Sequence, residues 1–83
     1  MDKKDLVGKV IHYYDKIGVA IVRLEKVLKA GDKVKFSRGD DGFEQVVESM
    51  QIEHAAIEQG KPKQEVGIKV NQPVHEGMLV YLA

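Results

Sequence analysis

Apolar residues along this chain fall in short blocks or alternate with polar ones, and no stretch shows the three-to-four spacing of an amphipathic helix. Leu6-Val7-Gly8-Lys9-Val10-Ile11-His12-Tyr13-Tyr14 reads as a first strand, and Asp15-Lys16-Ile17-Gly18 as the turn after it. Val19-Ala20-Ile21-Val22-Arg23-Leu24 is nearly all apolar, as expected for a strand covered on both faces. Lys33-Val34-Lys35-Phe36 alternates cleanly, and Arg38-Gly39-Asp40-Asp41-Gly42 is a tight-turn cluster. The run from Phe43 to Glu53 is long enough to bend, and its alternation slips at Val46-Val47, which predicts a bulge or coil there. His54 to Gly60 reads as a connector closed by Gly60 and Pro62. Glu65–Val70 and Met78–Leu82 are the last strands.

These patterns predict an all-β fold: one domain over residues 1–83, built as a small closed six- to seven-stranded β-barrel. A barrel has no free sheet edges to protect. The expected core is Val19, Ile21, Val34, Phe36, Ile52, Val66, Ile68, Leu79 and Val80. Gly31, in Ala-Gly-Asp just before a strand, is expected to have a positive φ or to sit in a turn too tight for a side chain, and Asp32 is placed to tie that turn through its side chain.

Composition narrows the chemistry. The chain lacks cysteine, which excludes disulfides, thiolate metal sites and cysteine nucleophiles and favours a reducing, cytoplasmic setting. The charged start of the chain lacks the pattern of a signal peptide, and no apolar run is long enough for a membrane-spanning helix. There is no phosphate-binding loop, so no nucleotide is expected, and the glycines flanking Asp40-Asp41 belong to a hairpin. His12, His54 and His75 are scattered without metal-ligand spacing, and Ser37 and Ser49 stand outside any nucleophile motif. No catalytic residue, metal or cofactor is therefore assigned.

Net charge is zero, but residues 1–38 carry ten Lys/Arg against five acids, while residues 39–83 carry three against eight. Such asymmetry makes either a basic face for a phosphate backbone or two solvated faces close together in space. If RNA binds, the candidate phosphate contacts are Lys9, Lys16, Arg23 and Lys26. Tyr13 or Tyr14 would be the stacking platform, because adjacent strand residues point to opposite faces and one tyrosine should stay outside.

The run from Gly18 through Arg23-Leu24-Glu25 and Leu28-Lys29-Ala30-Gly31-Asp32 to Phe36 resembles the second domain of translational GTPases, the β-barrel of elongation factor Tu and its counterparts. Val47–His54, Ile57–Gly60, Glu65–Val70 and His75–Val80 extend the likeness in order, over about residues 17–82. The resemblance implies a translation-factor-type barrel and a binding module for RNA, transfer RNA or a ribonucleoprotein component. It places Gln51 and His54 where that family holds the aminoacylated end of transfer RNA with a Glu and an Arg. No GTPase domain accompanies the barrel, so GTP hydrolysis is not implied. The same barrel type is also appended to other proteins, collagenase-like peptidases included. The alternative expectation is thus a protein–protein accessory domain that docks on a larger enzyme or ribonucleoprotein.

Overall fold

In a computed structural model of the chain, residues 6–39, 41–52 and 55–83 are described. Among them are ten strands and no helix: β1 (Leu6–Tyr14), β2 (Val19–Leu24), β3 (Leu28–Lys29), β4 (Lys33–Arg38), β5 (Asp41–Val46), β6 (Met50–Ile52), β7 (Ala55–Ile57), β8 (Gln59–Gly60), β9 (Glu65–Lys69) and β10 (Leu79–Leu82). The connector expected after residue 53 thus contains two short strands, β7 and β8.

Eight strands form one antiparallel sheet in the order β5-β4-β10-β1-β2-β9-β6-β7, and β3 pairs with β8 in a second, two-stranded sheet. The all-β expectation holds, but the closed six- to seven-stranded barrel does not form as a continuous ladder. The large sheet ends at β5 and β7, which do not pair with each other.

The reason lies at the slip in the Phe43–Glu53 pattern. After Val46 the chain leaves the ladder: Val47 turns inward, its N–H donates to the Asp32 carbonyl, and its own carbonyl accepts from Gly31 N–H, both at 2.8 Å. Strand β5 therefore stops short, and a side chain spans the gap instead. The Gln45 amide Nε2 donates to the Lys69 carbonyl at 2.8 Å, and Asn71 N–H donates to Gln45 Oε1 at 2.9 Å. Gln45 is almost wholly buried, so both bonds satisfy backbone groups where ladder partners are missing.

Two register shifts shape β1. The first falls between Leu6 and Gly8 and the second between Val10 and His12. The second leaves Ile11 unpaired and resets the alternation, so Val10 and Tyr13 both face the core. His12 and Tyr14 then share the outer face.

The core lies inside the curl of the sheet. Phe36, Leu24, Leu28, Met50 and Ile68 are its largest fully buried side chains, joined by valines from β1, β2, β4, β9 and β10. Phe36 stacks on Phe43 with ring centroids 5.1 Å apart. Of the expected core residues, Val34, Phe36, Val66, Ile68 and Val80 are buried as predicted. Val19, Ile21, Ile52 and Leu79 are only partly buried. On β2 the inward set is Ala20, Val22 and Leu24. The strand is apolar at both parities, so alternation alone could not decide which set turns inward.

The Gly31 turn is as expected. Its φ is +97°, and no atom lies within 4 Å of the point where a Cβ would stand, so backbone conformation alone favours glycine. Asp32 Oδ2 accepts from Lys29 N–H at 3.0 Å and ties the turn.

Candidate functional site

The outer face of β1, β2, β9 and β6 can be read off the ladders, because directly paired residues point to the same side. Tyr14 pairs with Val19, and Val19 with Lys69. His12 pairs with Ile21, Ile21 with Gly67, and Gly67 with Gln51. Lys9 pairs with Arg23, and Arg23 with Glu65. Three cross-strand rows result: Tyr14 and Val19 stand beside Lys69 in the first, Ile21 and Gly67 lie between His12 and Gln51 in the second, and the third is wholly charged.

A trough of about 370 Å³ opens on this face, lined by Tyr14, Ile17, Val19, Ile21, Gln51, Glu65 and Gly67. Gly67 makes its floor. A Cβ at that position would stand 3.2 Å from Val19 Cγ1 and 3.5 Å from Ile21 Cδ1, so any side chain there would fill the space. Ile17, in the turn after β1, is 64% exposed, and Tyr14 is 48% exposed. An isoleucine at a hairpin tip adds nothing to the core and exposes apolar surface to water. The ring of His12 meets Tyr14 edge-on at 4.4 Å, and His12 Nδ1 lies 3.3 Å from Glu76 Oε2. Tyr14 is thus held upright as one wall of the trough.

The residues singled out from the sequence are distributed as follows. Lys9 and Arg23 are cross-strand neighbours and share a shallow depression with Glu25 and Glu76. Tyr13 packs against the core, and Tyr14 stays outside, as the adjacent-residue argument requires. Lys16 is exposed in the turn beside Ile17. Lys26 follows β2, where its N–H reaches the Val7 carbonyl, away from the trough. Along β1, Lys9 and Tyr14 stand five residues apart, roughly 16 Å at about 3.3 Å per residue. Gln51 lines the trough, whereas His54 lies outside the described residues.

Reading the sequence did not single out Ile17, Val19, Ile21, Glu65 and Gly67 as one site. The available signal was Ile17, an apolar residue in a turn otherwise made of Asp, Lys and Gly. Among the described residues, no group of three or more His, Asp or Glu side chains could hold a metal ion, and no buried side-chain nitrogen or oxygen lacks a hydrogen-bond partner. No helix among them is long and apolar enough to cross a membrane. The geometry supplies an apolar seat with charged edges.

No protein-family profile matches the chain. Over 81 residues it is 41% identical to an uncharacterized protease of Methanocaldococcus jannaschii, a match that covers 96% of this chain and 20% of that protein. The chain thus spans about a fifth of the length of this curated relative. Its fold superimposes on the C-terminal domain of a Geobacillus thermoleovorans protein described as a U32 peptidase. The TM-score is 0.90 at 24% identity, covering 100% of this chain and 97% of that domain. The selenomethionine variant of the same domain matches with a TM-score of 0.86 at 26% identity, covering 93% and 98%.

These matches overturn the translational-GTPase assignment. They run over nearly the whole chain, and the proteins concerned are described as peptidases, not as elongation factors. The motifs behind the resemblance are turn chemistry, Gly18 and Ala30-Gly31-Asp32 above all. A small curled sheet with the same turns needs the same residues whatever larger protein carries it. The aminoacyl-end role of Gln51 and His54 rested on that resemblance and goes with it.

Proposed function

We propose that this chain is a non-catalytic accessory domain that docks on a protease of the kind its relatives are named for, using the outer face of β1, β2 and β9. The observation that carries this reading is the exposed apolar trough around Ile17, on a domain whose relatives are parts of larger proteins. Water-exposed apolar seats rimmed by charge are characteristic of protein interaction sites. Lys9 and Arg23, considered above for RNA, form the charged edge of this face and serve as rim contacts. The lack of cysteine fits a cytoplasmic setting for the assembly.

The test uses the Methanocaldococcus protease with its matching fifth removed. Mixed with this chain, the truncated protein should form a one-to-one complex by size-exclusion chromatography with light scattering. Ile17→Ser should weaken that complex. Absence of a complex, or peptide hydrolysis by this chain alone, would overturn the proposal.

A further inference from the structure

The trough also carries information about what fills it, provided that the docking reading holds. We infer that the docking segment of the partner presents one large apolar side chain with a carboxylate beside it. The apolar part follows from the lining: Ile17, Val19, Ile21 and the Tyr14 ring surround a glycine floor, and about 370 Å³ accommodates one aromatic or branched aliphatic group. The carboxylate follows from the charges around it. Lys69 stands beside Val19 in the same cross-strand row, and Lys16 is exposed next to Ile17. Among the described residues, neither has a carboxylate within 4 Å.

One acid, Glu65, lines the trough, four residues along β9 from Lys69, and the other nearby acids lie outside the lining. Glu65 faces Arg23 in the next row but one, Asp15 is in the turn, and Glu25 and Glu76 surround the Lys9–Arg23 depression. At that end Glu65 is the direct cross-strand neighbour of Arg23, whereas Lys69 has Val19 as its cross-strand neighbour and, among the described residues, no carboxylate within 4 Å. An incoming carboxylate gains most at Lys69, and an incoming ammonium is repelled there.

Three blocked hexapeptides titrated into the isotope-labelled full chain test this, read by backbone amide shifts. One carries phenylalanine between glutamates, one phenylalanine between lysines, and one glycine between glutamates. The first should move the amides of residues 17–21 and 67–69 saturably, and the other two should bind those residues about fivefold more weakly or worse. Lys69→Glu should reverse the preference between the two phenylalanine peptides. Equal binding of both, or shifts confined to another surface, would overturn the inference. So would concentration-dependent shifts of these same amides without peptide, because the exposed Glu44, Val46 and Glu48 of a second copy would then be the occupant. If the truncated protease binds while the peptides show no acidic preference, this inference falls and docking stands. If the truncated protease does not bind, the docking reading itself has failed.

Discussion

Strand β2 has two faces made of similar residues that do different work. Ala20, Val22 and Leu24 point inward and are fully buried. Val19 and Ile21 point outward and are only partly covered, with Arg23 exposed beyond them. The inner set is packed by side chains from the whole curl of the sheet. The outer set is covered only by its neighbours on the face, and it sits opposite a glycine that supplies no side chain. Apolar character on a strand is therefore not a statement about the core. In this curled sheet, one face makes the core and the other stays at the surface.

Large-to-small substitutions on the inner face provide the strongest test of that contrast. Phe36→Ala should cost about 3–5 kcal/mol and Leu24→Ala about 2–5 kcal/mol, because both leave cavities among fully buried neighbours. Ile21→Ala, on the same strand as Leu24, should cost only about 1 kcal/mol. Urea unfolding midpoints decide the matter. Equal costs for Leu24 and Ile21 would mean that the outer face is core as well, and the distinction would collapse.

The seam of the sheet allows a second test. Gln45→Leu keeps the volume but leaves the Lys69 carbonyl and the Asn71 N–H without partners, at a cost of about 1–3 kcal/mol. Hydrogen exchange at Asn71 should accelerate strongly, while amides in the β1–β2 ladder accelerate only in proportion to the loss of global stability. Unchanged exchange at Asn71 would mean that the amide bridge does not hold the seam. A smaller effect belongs to Gly31. Gly31→Ala places a β-carbon at φ +97° with nothing nearby to hit, so its cost of about 1–2 kcal/mol is conformational only. A neutral result in thermal unfolding would show that the turn relaxes to negative φ.

These cases also show what was legible in the sequence. Strands with turn residues at both ends, β1, β2, β4, β9 and β10, follow directly from alternation and from Gly-Asp punctuation. The outward tyrosine follows from adjacency, although the bulge at Ile11 decided which one it was. The parity of β2 was not legible, because Val, Ile, Ala and Leu at consecutive positions suit either face. Two-residue strands such as β3 and β8 leave no periodic signal, and Ala55-Ala56-Ile57 has none typical of a strand. The seam was hidden because one glutamine replaces a ladder, and a single polar side chain has no period. The trough was hidden for a related reason. Its walls come from a turn and two strands, its floor is the absence of a side chain at Gly67, and only pairing brings them together. Turn motifs pointed to the right local geometry and to the wrong larger protein, since turns report backbone conformation and not lineage.

Ile17→Ser is the smallest expected effect on stability and the sharpest test of the two-face contrast. Ile17 lies in the turn between β1 and β2, mostly in water, and is absent from the buried cluster. Replacing it should therefore change the unfolding free energy by no more than about 0.5 kcal/mol. The backbone turn is held independently of the side chain, since Gly18 N–H donates to the Tyr14 carbonyl at 2.9 Å. Tyr14 is a less clean choice, because its ring touches His12 and its removal would disturb the face as well as the trough. If Ile17 is an anchor for a partner, its loss should cost more than about 1 kcal/mol of binding, roughly a fivefold or greater rise in Kd for the truncated protease. Stability and binding would then separate at one residue. A fall in the urea midpoint comparable to that of Leu24→Ala would instead make Ile17 part of the fold. An unchanged Kd in a stable variant would leave its exposure without a role and remove the trough as the docking seat.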